Sequence, residues 1–236
     1  MKFRLSAWVS LYNFSKWDEN NKTKYLGSAK EWENVQSVMR NILNDIGIEY
    51  TEADGEAAFY GPKLDIQIKN VFGKEDTLIT IQIDFQLAKR FNMLYTDVDG
   101  EKKFPYVIHR TSLGCYERTL ALVLEKYAGA LPLWFAPEQV RVMDISEKSE
   151  KYCKEVYDKL LYAGLRPEKD LRSEKIGKKI REAQLDKVPY MLVIGEAEAE
   201  NGEVAVRKRG EGDIGKMKLE DFIKLVKEQV EKRELW

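Results

Sequence analysis

The chain has 236 residues, 44% hydrophobic and 33% charged, with a formal net charge of −1. That is room for one large or two ordinary globular domains, and it excludes a polycation acting through bulk charge. No apolar run approaches the roughly 20 residues needed to cross a bilayer, and two cysteines make no disulfide framework, so a reduced, cytoplasmic setting without a membrane is expected.

Residues 3–14 read as a strand, and Asn13–Lys24 as a polar loop carrying Trp17. Ser28-Ala-Lys-Glu31 is a capping box. It opens a helix whose apolar positions are Trp32, Val35, Met39, Ile42 and Ile46, ended by Gly47. Strands follow at Ile48–Glu52, at the cleanly alternating Leu64–Ile68, and at Leu78–Phe85 after a turn at Phe72–Asp76. Asp97–Gly100 is a second hairpin turn. Tyr106–Ile108 reads as a buried strand, Gly114 breaks it, and Leu120, Val123, Leu124 and Tyr127 fall at helical spacing. Hairpin-joined strands with two helices imply an antiparallel sheet with the helices packed on it.

Gly129–Pro137 concentrates one glycine and two prolines and marks a domain boundary, with Trp134 and Phe135 expected to dock between domains. The pattern then alternates. Val140–Ile145 is a strand, and Cys153, Val156, Leu160 and Ala163 mark a helix. Ile176, Ile180 and Ala183 mark another, and Tyr190–Ile194 is an apolar strand. Asn201-Gly202 reads as a hairpin turn before Val204–Val206. Leu219, Phe222, Ile223, Val226 and Val230 mark a last amphipathic helix. The expectation is an α/β (α+β) protein with domains at 1–136 and 137–236, the second a three-layer α/β unit with a mixed sheet.

Chemistry concentrates where strand, glycine turn and helix meet, at His109, Arg110, Glu117 and Arg118. An arginine at a helix start opposes the macrodipole, and a guanidinium there suits an anion or a flat ring. Glu117 suits the helix N-terminus. In the second half, Arg166–Lys187 holds Arg166, Lys169, Arg172, Lys175, Lys178, Lys179, Arg181 and Lys187, and Arg207-Lys-Arg209 adds more. Such runs are usually solvated faces, but two clusters on one small domain raise the prospect of phosphate contact.

The run Ile108-His-Arg-x-x-x-Gly-x-x-Glu-Arg118 before an apolar helix resembles motif 3 of class II aminoacyl-tRNA synthetases. Ala58-Phe-Tyr-Gly-Pro-Lys63, Thr80-Ile-Gln-x-Asp-Phe85 and Tyr127–Pro137 are similar to the threonyl-tRNA synthetase family. Asp170–Gly177 and Lys187–Gly195 resemble that family's anticodon-binding domain. The resemblance implies part of the antiparallel class II catalytic sheet followed by an anticodon-binding domain, and a threonine–tRNA ligase reaction with ATP and Mg. It implies Arg118 on ATP, Tyr60, Lys63 and Gln82 around threonine, and His109 as one of three zinc ligands. It implies Lys175, Arg181, Glu198 and Arg207 on the anticodon of tRNA(Thr), and a homodimer for the whole enzyme. Thr77, Cys115 and Ser173 depart from the family's usual Gln, Ser and Asn. Motifs 1 and 2 and the other two zinc ligands find no counterpart in this sequence, so the chain is expected to be a C-terminal portion, inactive alone. Two rival readings are a tRNA-binding module that has abandoned catalysis and a synthetase of the same subclass for proline or histidine. The Tyr60, Gln82, His109 and Arg118 set argues against the first rival. His109 in Ile-His-Arg and the Phe-Tyr-Gly-Pro-Lys run favour threonine over the second.

Overall fold

The computed structural model describes residues 9–21 and 23–235. The chain divides into two compact units, Met1–Leu122 and Val123–Trp236. Among the described residues no helix is long and apolar enough to cross a membrane.

The first unit is built on β1 (Val9–Ser15), α1 (Ala29–Asp45), β2 (Thr51–Ala53), β3 (Lys63–Lys69), β4 (Glu75–Asp84) and α2 (Leu87–Arg90). A small hairpin, β5 (Tyr95–Thr96) and β6 (Lys102–Lys103), precedes β7 (Val107–Arg110) and α3 (Tyr116–Tyr127), the helix within which the division between the units falls. The main sheet has the order β2-β1-β3-β4-β7. Its pairs are antiparallel except β1 with β2. That exception follows from connectivity, because α1 carries the chain from β1 to β2 as a crossover and returns it in the same direction. The part of the predicted first strand before Val9 lies outside the described residues.

The capping box forms as predicted, with Ser28 and Glu31 closing on each other. Trp32, Val35, Met39 and Leu43 of α1 are buried against Phe14, Leu64 and Ile83 of the sheet. Trp32 stacks on Trp17 at 5.4 Å and meets Tyr25 and Phe85 edge-on. Two predicted core positions are wrong: Ile42 is 50% and Ile46 59% exposed, and Gln36 and Leu43 take the buried places. At about 100° per residue Ile42 lies some 80° round from Trp32, and Ile46 is already the cap. The predicted strand at Tyr106–Ile108 and the helix after it both form, but on the surface. Ile108, Leu120 and Leu124 are exposed, and Leu122 is the buried residue of α3, against Ile68, Leu78 and Ile79.

The second unit comprises β8 (Val140–Asp144), α4 (Glu150–Tyr162), β9 (Pro167–Asp170), α5 (Ile176–Leu185) and β10 (Tyr190–Ile194). It continues with α6 (Glu196–Asn201), β11 (Glu203–Lys208), β12 (Gly212–Lys218) and α7 (Leu219–Lys232). The sheet order is β12-β11-β10-β8-β9, with β8 parallel to β9 and β10 and the remaining pairs antiparallel. Alternation sorts the strands' side chains to two faces. Val140, Val142, Leu192 and Val206 meet Val156 and Leu160 of α4 and Phe222 and Val226 of α7. Met143 and Met191 meet Ala183 of α5. The result is the expected mixed-sheet, three-layer unit. Asn201-Gly202 is a helix end and not a hairpin turn: Gly202, at φ 64°, is the left-handed cap of α6. The same dipeptide suits both structures because both need positive φ. The hairpin lies one strand later, between β11 and β12.

Candidate functional site

Gly61 sets the first site. Ala58 and Gly61 bridge, and the turn they close is laid along the end of β4, with Ile83 N donating to Pro62 O at 3.1 Å and Phe85 N to Tyr60 O at 3.3 Å. A Cβ on residue 61 would stand 1.8 Å from Ile83 O, so only glycine lets the two backbones approach this closely. Tyr60 is thereby aimed over the sheet. Its hydroxyl donates to Gln82 Oε1 at 2.5 Å, and its ring centre lies 5.7 Å from that of His109.

Beneath Tyr60 the register makes a polar row. Ser15 pairs with Lys63, Lys63 with Gln82, and Gln82 with His109. Directly paired residues of neighbouring strands share a face, so four strands contribute one side chain each. Two buried carboxylates anchor the row, and neither Asp65 nor Asp84 is a sequence-predicted site residue. Asp65 accepts from Ser15 Oγ at 3.0 Å and Thr80 Oγ1 at 2.8 Å and forms an ion pair with Lys63. Asp84 Oδ1 accepts from the backbone of Gln86 and Leu87 at 2.8 and 2.9 Å, while Oδ2 lies 3.0 Å from His109 Nε2. A carboxylate accepts, so Nε2 carries the imidazole hydrogen. A carboxylate inside an alternating strand, two residues from Gln82 on the same face, was the signal that could have identified Asp84. Burial, then the Asp84 charge, pushes the Tyr60 phenol above its ordinary value.

Arg118 stands in the first turn of α3, exposed, with Nη1 donating to Thr77 O at 3.1 Å. Gly114 makes the approach possible: at φ +67° its Cβ would lie 2.1 Å from Leu78 O. That backbone bond orients the exposed guanidinium. Cys115 is exposed and its Sγ donates to Glu117 at 2.9 Å.

The zinc implied by the resemblance can be tested against the donors present. Among the described residues no group of three His, Cys, Asp or Glu side chains could hold a metal ion. A catalytic zinc takes three protein ligands, and His109 with its Asp84 partner supplies one imidazole, already oriented. The described residues do not fit a complete zinc site.

In the second unit the structure sorts the basic residues. Lys179 is a core residue, 1% exposed and paired with Asp144 at 2.6 Å. Arg166 donates to Ala136 O and Trp134 O, Arg172 binds Asp170 and Glu182, Lys178 binds Glu174, and Lys187 donates to Ala128 O. Lys169 lies over the Tyr157 ring. The expected basic face is therefore largely consumed within the fold. Lys175 and Arg181, at the start and on the exposed side of α5, make no side-chain hydrogen bond or ion pair among the described residues. Arg207 pairs loosely with Asp213 at 3.6 Å, and its Nε is buried without a partner among the described residues. Glu198 is buried, with Oε2 accepting from Gly195 N at 2.9 Å and Oε1 bound to Lys216 at 2.6 Å. Lys216 holds the Glu198 carboxyl below its ordinary range. In this arrangement Glu198 caps α6, and Lys216, on a strand that escaped sequence reading, occupies its outer oxygen.

Residues 14–127 match the tRNA synthetase class II core domain (G, H, P, S and T), and residues 139–229 match the anticodon binding domain. The chain is 60% identical over 223 residues to a threonine–tRNA ligase of Clostridium perfringens, covering 94% of this chain and 35% of that protein. It is 44% identical over 219 residues to one of Oceanobacillus iheyensis, covering 92% and 34%. The chain thus spans about a third of the length of the curated relatives it matches. The solved RNA binding domain of threonyl-tRNA synthetase from Cryptosporidium parvum superposes with a TM-score of 0.78 at 35% identity, over 92% of this chain and 54% of that one.

Proposed function

Because the chain belongs to the threonine–tRNA ligase family of class II synthetases, we propose that its two sites serve the two halves of that reaction: activation of threonine with ATP, and recognition of the tRNA that receives it. ATP, brought in with its Mg, and threonine would yield threonyl adenylate and pyrophosphate. A ribose hydroxyl of the terminal adenosine of tRNA(Thr) would then take the threonyl group as an ester, breaking the anhydride bond and releasing AMP.

The observation that carries this reading is the row Lys63–Gln82–His109 with Tyr60 closed over it. Threonine differs from its isostere valine by one hydroxyl, and an apolar pocket separates such isosteres by only about a hundredfold. A site lined by a phenol, an amide, an ammonium and an imidazole leaves polar groups unpaired when valine enters, and so rejects it. Lys63, held by Asp65, offers a fixed cation to the amino acid's carboxylate or the α-phosphate. Arg118, held at one nitrogen by Thr77 O, offers a flat face to adenine and its remaining N–H groups to phosphate oxygens. In the second unit, Lys175 and Arg181, which have no side-chain hydrogen bond or ion pair among the described residues, and Arg207, loosely paired with Asp213, would meet the anticodon. Glu198 would join them by exchanging Lys216 for a base edge.

His109 is the one histidine of the sequence, so its ring resonances report on the site without assignment ambiguity. Titrating the chain with a non-hydrolysable threonyl-adenylate analogue should shift them saturably. Tyr60→Ala and Arg118→Ala should each weaken that response about tenfold or more, as expected for removing a hydrogen bond to a charged group. A wild-type spectrum that does not respond would overturn the assignment. Metal analysis of the same sample should find well under one zinc per chain.

A further inference from the structure

Lys179 was expected at the surface among the cations of α5 and is instead enclosed. Its ammonium donates to Asp144 Oδ1 at 2.6 Å, Asp144 O at 3.1 Å and Asp170 O at 3.2 Å. Asp144 and Asp170 are the last residues of β8 and β9. One side chain on α5 therefore satisfies all three of its donors at the C-terminal ends of two adjacent parallel strands. A second link lies outside it. The Asp170 carboxylate accepts from Arg172 Nε at 2.8 Å and Nη2 at 2.6 Å, and Arg172 Nη2 reaches Glu182, again on α5, at 2.5 Å. The segment between β9 and α5 is held from beneath and from outside.

Lys175 caps α5, and Arg181 lies two residues beyond Lys179 on the helix. A buried ion pair gains little stability over packed apolar side chains, so a fold that needed only stability would have no use for this one. What three directed hydrogen bonds supply, and apolar packing does not, is a fixed translation and rotation of the helix on the strand ends.

We propose that Lys179, together with the Arg172–Glu182 link, is a positioning device for RNA recognition: it sets where Lys175 and Arg181 stand relative to the strand ends without touching RNA itself. The inference rests on the anticodon reading above. It makes Lys179 a specificity determinant from inside the core.

The test compares binding of the 236-residue chain to tRNA(Thr) and to the same tRNA with one anticodon base replaced. The double variant Asp144→Leu/Lys179→Met removes both charges and leaves none orphaned. It should stay folded, with affinity for the substituted tRNA nearly unchanged, and discrimination should fall about tenfold, the size of effect that coupled positions without ligand contact can produce. Amide exchange over Leu171–Lys175 should quicken in parallel. Discrimination equal to wild type in the folded double variant would show the pair to be structural only and overturn the proposal. If that variant does not fold, Glu182→Ala removes the acceptor and breaks the outer link at the surface. Removing a negative charge there should raise affinity for any tRNA while lowering discrimination, and unchanged discrimination overturns the proposal equally. A wild-type chain that binds both tRNAs alike removes the anticodon reading and the positioning role with it, whereas discrimination lost in Lys175→Ala but kept in both tether variants removes the positioning role alone.

Discussion

Lys179→Met alone is expected to cost the second unit about 3–5 kcal/mol, the usual result of removing one partner from a buried ion pair. The loss does not come from the missing attraction as such. It comes from Asp144, 5% exposed, whose carboxylate keeps its burial and loses its cation. Cys153 shows how apolar the surroundings are: burial, then the Asp144 charge, pushes its thiol up to about 12. Adding Asp144→Leu should return most of the stability, because two well-packed apolar side chains replace two compensated charges. Urea unfolding, read from exchange of the Leu192 and Val206 amides in the central strands, measures both variants. A single variant within about 1 kcal/mol of wild type would contradict this account.

Gly61→Ala should be the most damaging small substitution in the first unit. The added methyl would need to stand 1.8 Å from Ile83 O and 2.9 Å from Ile83 C, both backbone atoms of β4. Neither can swing aside as a side chain would, so the turn must lift off the strand. Overpacking of this kind costs about 1–3 kcal/mol, and the loss of the two turn-to-strand hydrogen bonds adds to it. Tyr60 is carried by that turn, so its contacts with Gln82 and His109 go with it. The expected signature is a lower unfolding temperature together with displaced His109 resonances and no response to the adenylate analogue. Gly177→Ala is the control: it lies in α5 with nothing within 4 Å of the new methyl, and alanine favours helix. A Gly61→Ala chain with native stability and an unmoved His109 signal would show that the close approach is dispensable.

Local signals in the sequence were legible where one physical cause dominates. The capping box at Ser28–Glu31 closes by itself, and the apolar runs at Val140, Tyr190 and Leu219 are buried because nothing else could be done with them. In β3 and β4 the apolar residues were legible but the faces were not: the register shifts between Ile66 and Gln67, adjacent Leu78 and Ile79 are both buried, and so are Asp65 and Asp84 beside Leu64 and Ile83. What the sequence could not show was pairing across the chain. Whether Lys179 faces water or Asp144 depends on a contact 35 residues away. Whether Glu198 reads a base or caps a helix depends on Lys216, on a strand whose Gly212-Asp-Ile-Gly-Lys-Met-Lys run has neither dense apolar content nor clean alternation. Asp65 and Asp84 were overlooked for the opposite reason. A lone carboxylate in a strand reads as solvated until its hydroxyl, imidazole and backbone partners are known.

The internal use of the second unit's cations bears on how it would meet a polyanion. Each cation that neutralises a phosphate releases condensed counterions, and for single-stranded nucleic acid the logarithmic salt slope is about −0.7 per contact. Counting every lysine and arginine between Arg166 and Lys187 and in Arg207–Arg209 would promise a steep fall of affinity with salt. Among the described residues of those runs, Lys175 and Arg181 make no side-chain hydrogen bond or ion pair, Lys169 only lies over Tyr157, and Arg207 is loosely paired with Asp213; four such contacts give a slope of about −3. With a net charge of −1 there is no broad field to draw RNA in from a distance. Association would then be unsteered and weak until the bases themselves engage, and ionic strength would act on it far less than the count of basic residues implies.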